Sequence, residues 1–134
     1  MSVVRSKRNE SQMQFLATAR SLQAYTIQKC VSKIPKRYTF YIGVHLADSA
    51  TKVYENVKRA NSVYPLNAHE VQLRRDFFLG AYTELQSLVS QIELAQEIVH
   101  FEPNVLKEWS RLIAEEIRLV KATMKADRER YKNI

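Results

Sequence analysis

The sequence predicts an all-α fold, an antiparallel up-down four-helix bundle. Three observations carry that reading. The 134 residues include only two glycines and three prolines, whereas β-rich folds use such residues at every turn. Apolar residues recur every three or four positions over long stretches, which is the period of one helix face. The breaks in that pattern fall at the prolines, and the connecting loops are short enough to join antiparallel neighbours. Helices of roughly 25 to 30 residues are rods about 40 Å long at about 1.5 Å per residue.

The first helix is expected to start near Asn9, where Asn9 and Gln12 have the spacing of a capping box. Its inward stripe is Phe15, Leu16, Ala19, Leu22, Thr26, Cys30 and Val31. It ends before Pro35, which disfavours the α conformation at Ile34. The second helix is expected over residues 39–63. Ile42, Leu46, Ala50, Val53, Val57 and Ala60 keep the helical period along it, and Tyr64-Pro65 stops it. The third covers residues 68–99, capped by Asn67 with Glu70 three positions on. Its predicted core side is Leu73, Phe77, Ala81, Leu85, Leu88, Ile92 and Ala95.

His100-Phe101-Glu102-Pro103 forms the next break, and Pro103 suits the first turn of a fourth helix reaching Tyr131. Leu106, Trp109, Ile113, Ile117, Val120 and Met124 line one side of it. Lys121, Lys125, Arg128, Arg130 and Lys132 crowd its last turns, where cations complement the negative end of the helix dipole. That accounts for them without an external ligand. Gly43 and Gly80 lie inside predicted helices. Each costs about 1 kcal/mol relative to alanine, and close helix approach is the expected compensation.

One domain is expected at this length, residues 9–134, preceded by a flexible basic arm over residues 1–8. The single cysteine, Cys30, allows no internal disulfide and fits a reducing cytoplasm. The first residues lack the apolar core of a signal peptide. No apolar run approaches the roughly 20 residues of a membrane span. The charge is lopsided: residues 1–37 carry eight bases against one acid, which is the whole of the net +7, and residues 38–134 balance. A focused positive field attracts a polyanion, of which nucleic acid is the commonest.

No catalytic signature stands out, no cofactor or metal is implied, and the chain is not expected to be an enzyme. There is no phosphate-cradling glycine loop. Cys30 lies on an apolar stripe and reads as a structural thiol. His45 and Asp48 share a helix face, which suits a surface hydrogen bond; a metal site would need further ligands. Glu115 and Glu116 read as a solvated pair near Arg111, Arg118 and Lys121.

The basic residues are the candidate nucleic-acid contacts. Arg5, Lys7 and Arg8 form the arm. Lys33, Lys36 and Arg37 bracket the first loop, followed by Tyr38, Phe40 and Tyr41. Those rings either stack on bases or anchor the turn in the core. Lys58 and Arg59 end the second helix. Arg74 and Arg75 sit near the start of the third, where the dipole disfavours cations, so they need either Glu70 and Asp76 or an external phosphate.

The run Pro35-Lys36-Arg37-Tyr38-Thr39-Phe40, the helix ending Lys58-Arg59-Ala60-Asn61, the later Arg75 and the Trp109-bearing fourth helix resemble a known family. The chain is similar to the Avd proteins, the accessory variability determinants of diversity-generating retroelements, and to the related four-helix proteins encoded in 23S rRNA intervening sequences. The resemblance implies a small basic bundle that assembles as a ring-shaped homo-oligomer, typically a pentamer. It implies a non-catalytic protein that binds a reverse transcriptase and its template RNA, or DNA or an RNA/DNA hybrid, in support of mutagenic cDNA synthesis. Of the candidates, Lys36, Arg37, Lys58, Arg59 and Arg75 sit in the matching motifs. The alternative is a scaffold of a mobile element or phage whose positive face docks an acidic protein or DNA.

Overall fold

A computed structural model describes residues 3–134, with side chains from Met13 onward. Its described residues contain four α-helices and no strand: α1 Val3–Lys33, α2 Val44–Asn61, α3 Ala68–Val99 and α4 Pro103–Arg130. The helices run alternately up and down. α1 packs on α2 and α4, α2 packs on α3, and the seam between α3 and α4 is looser than the α1–α2, α2–α3 and α1–α4 contacts.

Four of the expected boundaries follow from local chemistry. α1 stops at Lys33, two residues before Pro35, and Tyr38 N–H bonds to the Pro35 carbonyl to turn the chain. Asn67 caps α3 by accepting from Glu70 N–H at 2.9 Å, while the Glu70 carboxylate reaches back to Leu66 N–H at 2.8 Å. His100 ends α3 in the left-handed conformation, φ 59°, and Pro103 opens α4. Two boundaries differ. α1 begins at Val3 rather than near Asn9; the Asn9–Gln12 pairing and the side chains of the basic arm lie outside the described residues. The second helix does not start as an α-helix at Thr39. A 3-10 turn, Lys36–Tyr38, is followed by a π-helical segment, Thr39–Gly43.

The core confirms most of the predicted stripes. Phe15, Leu22, Leu46, Val53, Val57, Leu85, Leu88, Trp109 and Val120 are fully buried. Trp109 donates its indole N–H to Thr26 Oγ1 at 2.9 Å, and its ring meets Tyr25 and Phe101 edge-on at 5.9 and 5.4 Å. Tyr25 donates to the Val105 carbonyl at 2.8 Å, so α1 and α4 are pinned at one level by two hydrogen bonds.

The stripes of α3 and α4 are each shifted by one residue near their charged members. On α3 the buried positions are Arg74 and Phe78, not Leu73 and Phe77; Leu73 is exposed. On α4 they include Leu112 and Glu116, while Ile117 is only partly buried. Val31 is 80% exposed, against its expected place in the core. At Gly80 a Cβ would meet the Asn56 amide at 3.2 Å, a tight approach of α2 to α3 that an added methyl would have to displace. Gly43 has only ordinary contacts, at 3.9 Å, with Cys30 and Ile34.

Candidate nucleic-acid interface

The structure distributes the predicted cations between two ends of the bundle. Lys33, Lys36 and Arg37 lie where α1 turns into α2. Lys58 and Arg59 lie at the far end of α2, about 27 Å away at 1.5 Å per residue. Arg75 lies near the start of α3, at the same end as Lys58.

At the first end, Lys33 is held by Glu102 at 3.4 Å. Lys36 is exposed and makes no ion pair among the described residues. Arg37 stacks over the Tyr38 ring at 4.9 Å. Tyr38 is half-buried against the core, as the anchoring reading requires. Phe40 and Tyr41 do the opposite: they are 80% and 79% exposed. In the π-helical segment these two rings are left pointing to solvent, a few residues along the chain from Lys36 and Arg37.

Arg74 must be removed from the candidate set. Its guanidinium is buried, donates to Asp127 Oδ2 at 2.6 Å and to the Ala60 carbonyl at 3.0 Å, and covers the Phe78 ring. Its partner comes from α4, not from Glu70 or Asp76, which are engaged in the α3 cap and with Gln72. A phosphate has no access to it. Arg59 reaches Glu55 at 3.6 Å on its own helix. Lys58 and Arg75 carry no ion pair among the described residues.

The strongest cationic feature is one that sequence reasoning discounted. Lys121, Lys125 and Arg128 recur at helical spacing along α4 and face the α3–α4 seam opposite Arg75. They line a cavity of about 440 Å³ with Leu79, Tyr82 and Met124. An adjoining cavity of about 310 Å³ shares Arg75, Met124 and Arg128 and extends to Tyr131 and Lys132.

Four α4 acids near this stripe are paired with side chains other than Lys121, Lys125 and Arg128. Glu108 pairs with Arg111, Glu115 with Arg118, Glu129 with Lys132 and Asp127 with Arg74. Those guanidinium partners hold the Glu108 and Glu115 carboxyls below the usual range. Arg75, Lys121, Lys125 and Arg128 have no carboxylate partner among the described residues; Lys121 instead rests on the Tyr82 ring at 5.0 Å. The signal in the sequence was present: three bases at i, i+4 and i+7 on one face. Only the position of that face on an open seam distinguishes a binding stripe from dipole complementation.

Two other expectations change. Asp48 pairs with Lys52 at 3.0 Å rather than with His45. Glu116 is not part of a solvated pair; it is fully buried, and neither carboxylate oxygen has a hydrogen-bond partner among the described residues. Burial pushes its carboxyl up to about 9, with the Glu115 charge adding to the shift. Burial also pushes the Cys30 thiol up to about 11, so it carries little thiolate at neutral pH. No group of three or more His, Cys, Asp or Glu side chains converges on a metal-sized site among the described residues, and no helix among them is long and apolar enough to cross a membrane.

Comparison with protein-family models, with curated proteins and with solved structures gives no match to this chain.

Proposed function

We propose that this protein is a non-catalytic RNA-binding accessory factor of the kind found in diversity-generating retroelements. In that role it holds a template RNA for a partner reverse transcriptase and leaves the polymerase chemistry to that partner. The observation that carries the reading is the un-neutralised row of Arg75, Lys121, Lys125 and Arg128 around aromatic and thioether side chains. Clustered cations without internal partners release counterions when they meet phosphates. The second cationic end, Lys36 and Arg37 beside exposed Phe40 and Tyr41, adds a separate grip. The motifs shared with the Avd-like bundles supply the partner and the biological setting.

The same reading includes a ring-shaped homo-oligomer. Val31, Phe40, Tyr41, Val44 and Leu94 are large apolar or aromatic side chains left exposed, Tyr41 and Leu94 lining one shallow cavity, and exposed apolar side chains of this kind are what subunit contacts cover. A ring multiplies weak phosphate contacts into useful avidity.

The test is fluorescence anisotropy with a structured RNA of the retroelement template type, alongside light scattering for the assembly state. Four phosphate contacts on a single strand give a salt slope near −3, so affinity falls roughly fiftyfold between 50 and 200 mM salt. Absence of binding to RNA at low salt, or binding indifferent to salt, overturns the reading. Tight capture of an acidic protein with no RNA affinity would assign the positive face to the scaffold alternative.

A further inference from the structure

We infer that the α3–α4 furrow takes single-stranded nucleic acid, with unstacked bases seated in the two adjoining cavities and the backbone held by the α4 lysines and arginines. This rests on the RNA-binding reading above and specifies the form of the ligand.

Three features of the furrow lead there. The first is its floor. A surface that binds only phosphates needs cations alone. Here the cations share the lining of two cavities with Leu79, Tyr82 and Met124 in one and with Val71, Met124, Tyr131 and the Arg74-paired Asp127 in the other. Aromatic rings and a polarizable thioether are the side chains that accept the flat face of a base. The second is repetition. The cavities lie side by side, share Met124, and each contains one tyrosine. That arrangement suits consecutive nucleotides of one strand. The third is spacing. Lys121, Lys125 and Arg128 follow one line of α4 at steps of about 4.5–6 Å, the rise of three to four helical residues, and Lys132, paired with Glu129, lies just past the helix end. They lie beside the cavities and not inside a closed core, since all four are exposed.

A duplex cannot use this site in the same way. Its bases are stacked inside, so it can touch the rim cations but cannot fill the cavities. An unpaired strand satisfies both rim and floor. Nothing in the furrow selects ribose over deoxyribose, so single-stranded DNA of the same length is expected to bind as well.

The experiment measures binding of the full chain to a 12-nucleotide single-stranded RNA, to a 12-base-pair RNA duplex, and to the single strand carrying abasic positions at its centre. The expected result is a single strand bound about tenfold more tightly than the duplex, and a loss of about tenfold on removing the central bases. Tyr82→Leu keeps an apolar side chain but removes the ring on which Lys121 rests; it should weaken single-strand binding about fivefold and duplex binding by less than about twofold. The double charge reversal Lys121→Glu with Lys125→Glu should weaken both. Equal affinity for single strand and duplex, together with indifference to abasic positions, overturns this inference while the RNA-binding reading stands. No binding to either form overturns both. The abasic comparison uses the unmodified protein, so it decides the matter even if Tyr82→Leu does not fold.

Discussion

Two charged side chains occupy places on the inward stripes that the hydrophobic pattern assigns to apolar residues, and they do so by different means. Arg74 enters the core with its partners: Asp127 from α4 and two backbone carbonyls at the end of α2. A buried guanidinium is tolerated because its donors are satisfied. Glu116 enters without partners, so it is accommodated as the neutral acid. Its sign in a pH experiment follows. The carboxyl is protonated in the folded chain up to about pH 9, but ionises near 4.5 when unfolded. Between those values the folded state binds the extra proton, so stability falls as pH rises. The loss approaches about 1.4 kcal/mol per pH unit. Urea unfolding should therefore give a higher midpoint at pH 5 than at pH 8. Glu116→Leu should flatten that dependence and raise the pH 8 midpoint. A midpoint independent of pH between 5 and 8 in the unmodified chain would refute the assignment of a buried neutral acid.

At the scale of elements, the start of the second helix and the α3–α4 seam matter most. The π-helical Thr39–Gly43 segment re-aims Phe40 and Tyr41 outward, which periodicity at 3.6 residues per turn cannot foresee. Gly43, at the end of that segment, is buried but not crowded, with its nearest neighbours 3.9 Å from a built Cβ and a helical backbone at φ −59°. Gly43→Ala should stabilise the chain by about 0.5–1 kcal/mol, read as a shift in the denaturation midpoint at constant slope. A destabilised variant would show that the π segment itself requires glycine. The α3–α4 seam follows from the same stripe shifts. The side of α4 that carries Lys121, Lys125 and Arg128 is left facing an open furrow, because burial of Leu112, Glu116 and Val120 turns it there.

For the whole molecule, the question is which end grips the polyanion. The two cationic ends are separated by the length of α2, so one strand can reach both only by running along the bundle or across an oligomer. Charge reversal at Lys36 and Arg37 should weaken RNA binding severalfold and reduce the salt dependence. The melting temperature should stay within about two degrees, since exposed charges add little stability. Unchanged affinity in anisotropy would restrict the contact to the α3–α4 end.

By itself, the amino-acid sequence determined the four helices, most of their limits and the greater part of the core, because helix periodicity, caps and prolines act over a few residues. It also announced a strongly cationic protein without an evident catalytic centre. What it could not convey is which charges remain available. Arg74 and Arg75 are neighbours in the chain, yet one is sealed against Asp127 and the other faces solvent beside Lys121. Lys121, Lys125 and Arg128 belong to a stretch whose net charge is zero, and become a positive surface because the neighbouring carboxylates pair with other side chains, Asp127 with Arg74, Glu115 with Arg118 and Glu129 with Lys132. Net charge is a sum over the chain, whereas the field at a surface depends on distances and pairings, and those exist only once the helices have packed.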